Sequence, residues 1–148
     1  MKVSILFFIL FFSSQACFAQ SLEGEWKGYF TQKQVTSRDD LSEMEIIIQF
    51  HKINDTIFEG ISKSIIKINK KEFDTAICIL SGGFYEMNIL YLEETRAIKK
   101  FAGENTDVCL QLMKLYFRKK KNHLELNGDW YGNEDNCGSG VIRLTKNL

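Results

Sequence analysis

The chain contains no proline, so none of its β-rich runs is barred from a sheet interior on that ground. It has two histidines, His51 and His123, and neither sits in a metal-ligand or nucleophile motif. No Cys-x-x-Cys pair occurs among its four cysteines, which removes the usual redox and zinc readings. There is no phosphate-cradling glycine loop: Gly82-Gly83 reads as a hairpin turn, and Gly138-Ser139-Gly140 lacks the flanks of a nucleophile elbow. The paired acids Glu93-Glu94 and Glu134-Asp135 read as exposed loop residues rather than as a catalytic couple. Charge of neither sign dominates, with 19 Lys+Arg against 19 Asp+Glu, so there is no general electrostatic case for nucleic acid or a membrane surface. The expectation is a non-catalytic protein with no metal, no cofactor and no nucleic-acid partner.

What is present begins with an export signal. Met1-Lys2 is a short positive segment, and Val3 to Phe12 is apolar except for Ser4. Cys17-Phe18-Ala19 then places small residues at −3 and −1 of a cleavage point. That is the anatomy of a secretory signal peptide, and its apolar run is too short to span a bilayer as a helix. We therefore assign residues 1–19 to the signal and 20–148 to one mature domain, exported to the periplasm or beyond, with no transmembrane helix. Lipid anchoring through Cys17 is the competing route; Ala16 suits it, whereas Ser14 stands where the lipoprotein pattern wants an aliphatic residue.

In the mature part the hydrophobic period is mostly two. Glu25–Lys33, Glu43–Ile53, Thr56–Ile68, Glu72–Leu80, Phe84–Glu93, Asp107–Lys119, His123–Tyr131 and Ser139–Lys146 read as strands. Asn54-Asp55, Lys70-Lys71, Ser81-Gly82-Gly83 and Lys120-Lys121-Asn122 read as turns between them, and Gly60 as a bulge or bend. Residues 35–42, holding Arg38-Asp39-Asp40, read as a loop, and Glu94–Thr106 as either a short helical turn or a loop. About eight antiparallel strands with short connections predict an all-β fold. An up-and-down barrel removes the sheet edges and fits an even strand count; a two-sheet sandwich is the alternative.

Two segments share the pattern Leu-x-Gly-acid-Trp-x-Gly, Leu22–Gly28 and Leu126–Gly132, and they hold the only two tryptophans, Trp26 and Trp130. Gly24-Glu25-Trp26 at the head of the first strand, with Arg143 on the last, resembles the calycin superfamily of lipocalins, fatty-acid-binding proteins and avidins. That resemblance implies a barrel closed at one end by Gly24, Trp26 and an Arg143 guanidinium over the indole, a cation–π contact worth about 0.5–2 kcal/mol. The Phe18-Ala19-Gln20 junction and the Ile/Lys/Asn-rich style also resemble small secreted proteins of Bacteroidota.

Strand alternation sorts the remaining features. Cys109 and Cys137 fall at the same end of the barrel, one strand apart, which predicts a bridge between them with Cys78 left as a small buried thiol. Trp130 falls at that end too, as a plug beside the bridge or as a ligand-stacking aromatic. Arg118-Lys119-Lys120-Lys121 reads as a solvated hairpin tip guarding a sheet edge, or as a patch for an anionic partner. The resemblance implies a small apolar ligand held in the barrel, with its binding residues unassigned. The competing expectation is an envelope or secreted interaction protein with a filled core that binds protein or glycan through its loops.

Overall fold

The computed structural model describes residues 22–33, 43–68, 71–102, 109–134 and 137–148. The signal segment with Cys17 and the loop 35–42 lie outside the described residues. Eight strands run in chain order: β1 Gly24–Lys33, β2 Glu43–Lys52, β3 Ile57–Ile68, β4 Lys71–Glu86, β5 Ile89–Lys99, β6 Gln111–Lys119, β7 His123–Gly132 and β8 Ser139–Asn147. Each pairs antiparallel with its neighbours, and β8 returns to β1, so the sheet closes as an up-and-down barrel rather than a sandwich. No helix among the described residues is long and apolar enough to cross a membrane.

Alternation decides what fills the barrel. At the end where β1 begins, here the upper end, Trp26, Phe117, Phe84, Phe58 and Phe50 meet edge-to-face in a continuous series. Their centroid separations are 6.4, 6.3, 6.0 and 6.5 Å. Each such contact adds about 0.5–1.5 kcal/mol beyond area burial, and five strands are joined by the series. Leu22, fully buried, lies over it; its carbonyl accepts a 2.7 Å hydrogen bond from the Trp26 indole N–H. Gly24 turns the chain between them with φ of 106°, a conformation that side-chain-bearing residues rarely adopt.

At the lower end a second tryptophan does comparable work. Trp130 is buried, packs edge-to-face on Phe30 at 5.6 Å, and donates its indole N–H to the Thr31 carbonyl at 2.9 Å. It is therefore a plug. The Cys109–Cys137 disulfide sits at the same end, as alternation predicts. It ties the segment entering β6 to the loop leaving β7, where the Leu110 N–H is also held by the Asn133 side chain at 2.9 Å.

Three local expectations are corrected. Ser81-Gly82-Gly83 is not a turn: β4 runs through it, Gly82 pairing with Leu92 and Gly83 with Tyr91, and the chain reverses instead at Met87-Asn88. Neither glycine has the positive φ that a tight hairpin turn demands. Gly60 carries no bulge; it pairs in regular register with Phe50 and Leu80, and the β3–β4 irregularity falls at Ile66/Lys67. Of the Glu94–Thr106 segment, residues 94–99 are neither helix nor loop but the lower half of β5, and residues 103–106 lie outside the described residues.

Two outcomes follow. A Cβ at Gly140 would lie 1.7 Å from the Thr31 carbonyl oxygen and 2.6 Å from the Trp130 indole nitrogen, on top of the bond that seats the plug. Gly140→Ala is therefore expected to lower stability by about 1–3 kcal/mol in urea denaturation. Cys109→Ser/Cys137→Ser, opening a separation of 28 residues, is expected to lose roughly 3–4 kcal/mol in the chain-entropy picture by the same measurement. A double variant within 1 kcal/mol of wild type contradicts the structural role assigned to the bridge.

Candidate functional site

The inner wall of the lower half differs from that of the upper half. Where β3 and β4 contribute Phe58, Leu80 and Phe84 above, they contribute Ser62, Ser64, Ala76 and Cys78 below, all buried. Register places Ser62 opposite both Ile48 and Cys78, and Ser64 opposite Ile46 and Ala76, so these small side chains share the inner face. Phe30, Ile46 and Trp130, with half-buried Met44, form the apolar remainder of that end.

Into this region project Glu94 from β5 and Gln111 from β6. Glu94 is only 3% exposed. One carboxylate oxygen accepts from the Ser62 hydroxyl, the other from the Gln111 backbone N–H at 3.0 Å, and the Cys78 thiol donates as well. These contacts have a cause in the sheet. Pairing between β5 and β6 ends at Glu93↔Leu112, and β4 against β5 carries irregularities at Ile77/Cys78 and Ile79/Leu80. Where the backbone ladder stops, the Glu94 carboxyl takes over the next amide and spans the seam.

Burial pushes the Glu94 carboxyl above its ordinary range, and the hydrogen bonds from Ser62, Gln111 and Cys78 pull it only part of the way back. The Gln111 side chain is 8% exposed, and its carbonyl oxygen accepts no hydrogen bond. A buried acceptor without a donor costs about 1–3 kcal/mol, which is why such groups are rare in folded proteins.

Other residues singled out by sequence lie elsewhere. Arg143 is not over Trp26. It is exposed on the outer face, paired with Tyr29 and Asn127, while Trp26 is buried, one residue beyond the last β1–β8 pair Lys27↔Thr145. One residue of alternation puts the two side chains on opposite faces of the wall, so the cation–π closure expected from the calycin resemblance does not form. Leu22 covers Trp26 instead, and the Lys146 ammonium donates to the Glu23 carbonyl beside it. His51 is exposed, and His123 hydrogen-bonds Glu125 at 2.8 Å, holding that carboxyl below its ordinary range. Arg118, Lys119, Lys120 and Lys121 are exposed around the β6–β7 tip, with Lys120 3.9 Å from Glu125. Glu134 is exposed, and Asp135 lies outside the described residues. No group of three or more potential metal-ligating side chains occurs among the described residues.

Glu94 was misplaced by sequence because Glu93-Glu94 resembles a surface pair. Its parity was the available signal: continuing β5 past Leu90 and Leu92 puts Glu94 on the buried face. Gln111 shares parity with Met113, Leu115 and Phe117 in the same way.

A concavity lies on the outer wall. A groove of about 510 Å³ crosses β4 to β7, floored at Gly83 and bounded by Tyr91, Glu93, Leu112, Lys114 and Tyr131. The Lys114 ammonium lies 5.7 Å from the Tyr91 ring centre and 5.8 Å from that of Tyr116.

The fold sets one test of the Glu94 assignment. A carboxyl held above its unfolded value favours the neutral form in the fold. The stabilisation is complete below the unfolded value, near 4.5, and is lost as pH rises through the folded value. Glu94→Gln, permanently neutral, is expected to match wild type in acid and to exceed it increasingly towards neutral pH. Paired urea midpoints between about pH 4 and pH 8 read this difference, and a variant less stable at neutral pH than in acid, relative to wild type, contradicts it.

No family model matches the chain, and no curated protein matches it either. Two solved structures are similar in fold. The EF1p2_mFAP2b barrel bound to DFHBI superposes with a TM-score of 0.58 at 11% identity, over 91% of this chain and 98% of that one. A redesigned β-barrel gives 0.55 at 10% identity, over 88% and 94%. Both likenesses are those of small antiparallel barrels, and they concern the fold alone.

Proposed function

We propose that this is an exported, non-catalytic protein that binds a small, largely apolar molecule in the lower half of its barrel. The observation that carries the reading is the asymmetry of the inner wall. On β3 and β4, Phe58, Leu80 and Phe84 fill the upper half, whereas Ser62, Ser64, Ala76 and Cys78 leave the lower half of that wall small, with an undonated Gln111 oxygen beside it. Ligand sites of this kind are mostly apolar, with a few convergent polar groups that fix orientation. Phe30 and Ile46 supply apolar surface; Glu94 and Gln111 supply the polar groups. The disulfide and the signal-like leader support export, since such bridges persist in oxidising compartments. A barrel of this fold bound to DFHBI is compatible with the reading.

The outer groove favours a second reading, an interaction protein that engages a partner through its wall rather than its loops. Tyr91 and Tyr131, 43% and 53% exposed, are the residue type that most often anchors such contacts.

A titration with the neutral dye Nile red separates the two. Saturable binding near one dye per chain is expected, weakened at least about tenfold by Ser64→Phe, which fills the lower half, and unchanged by Tyr131→Ala on the outer wall. Loss of binding with Tyr131→Ala but not Ser64→Phe contradicts the interior site and supports the wall.

A further inference from the structure

Resting on the interior reading, the geometry points to an amine as the head group of the ligand: we infer that Glu94 and the Gln111 side-chain oxygen together receive a protonated amino group at the β5–β6 seam. The argument is a count of donors and acceptors. The groups that ring the seam are Ser62 on β3, Cys78 on β4, Glu94 on β5 and Gln111 on β6. Ser62, Cys78 and the Gln111 backbone N–H already donate to Glu94. The Gln111 side-chain oxygen is the acceptor left without a donor, in a side chain 8% exposed. Counted with Glu94 ionised, the site is short of a donor.

Charge narrows the class further. The cation at the lower rim is Lys99 on β5, exposed and with its ammonium donating to the Thr75 hydroxyl at 2.6 Å. Asp74 at the lower rim is a second acid, with its oxygens held by the amides of Thr75 at 2.8 Å and Ala102 at 2.6 Å. A carboxylate or phosphate head group at the seam would meet Glu94 and Asp74, while the Lys99 ammonium is engaged by Thr75, at a burial where unpaired charge is expensive. A hydroxyl would satisfy Gln111 but leave Glu94 neutral. An ammonium satisfies both, donating to Gln111 and pairing with Glu94, and a charge-assisted bond is roughly twice as strong as a neutral one. No bond is made or broken in this binding. Glu94 releases its proton to solvent as the cation arrives, so binding should tighten as pH rises towards neutrality. Cys78, Asp74 and, at the rim, Lys99 are the other titratable groups around the site.

The test is calorimetry with the intact mature protein and three probes of one chain length, n-octylamine, n-octanol and n-octanoate. Octylamine is expected to bind about tenfold more tightly than octanol, with octanoate weakest. Its binding heat should change between two buffers of different ionisation enthalpy, reporting proton release. Glu94→Gln should bring octylamine down to the level of octanol and leave octanol within about twofold; because this variant is expected to fold at least as stably at neutral pH, the loss is not one of folding. Octanol binding as tightly as octylamine, or octanoate binding best, overturns the amine assignment and leaves the interior site standing. Failure of all three to bind overturns the interior site itself.

Discussion

The account turns on one buried carboxyl. Closing an eight-stranded sheet requires every strand to find two neighbours, and here the ladder between β5 and β6 stops at Glu93↔Leu112, short of the lower ends of those strands. Glu94 occupies the first inward position below that stop and gives its oxygens to Ser62 and the Gln111 amide. A side chain thereby continues what the backbone leaves off. The same act draws an ionisable group into a wall of small residues, where burial raises its affinity for a proton. Structure and chemistry come from a single residue, and they oppose each other: the ionised form would accept the three donors better, but burial favours the neutral one.

The two ends of the barrel divide the remaining work. The upper end is an aromatic series under Leu22, and its apolar contacts fix the strands it joins. The lower end is held by more specific devices: the Trp130 indole on the Thr31 carbonyl, the Cys109–Cys137 bridge, and the Asn133 side chain on the Leu110 amide. The bridge lies two residues from Gln111, so it anchors the backbone amide that Glu94 depends on. A filled end and a pinned end leave the interior between Phe30, Ile46 and the serine-lined strands as the region where the packing is least apolar.

Much of this was legible in the residues. Alternation gave the strand count and the bounds of most strands, though Phe84–Glu93 straddles the β4–β5 turn, and an even count with short turns argued for closure. Strand parity alone paired Cys109 with Cys137. The failures have physical sources. Glycine pairs serve tight turns and regular strands alike, so Gly82-Gly83 did not reveal that β4 continues to Glu86. A two-residue acid motif carries no sign of burial, so Glu94 emerged only when β5 was followed through it. Arg143 was placed by height along the barrel, but height ignores face, and one residue of parity sends its guanidinium outward. The unsatisfied Gln111 oxygen was out of reach of sequence, because an unmet hydrogen bond is a property of neighbours in space.

Residue-resolved NMR during an octylamine titration tests the interior site most directly. The account predicts that amide shifts concentrate at Ser62, Cys78, Glu94 and Gln111, on four strands that only the inner wall brings together. Shifts that instead follow Tyr91, Leu112 and Tyr131 on the outer wall, or no saturable shift at all, would contradict it.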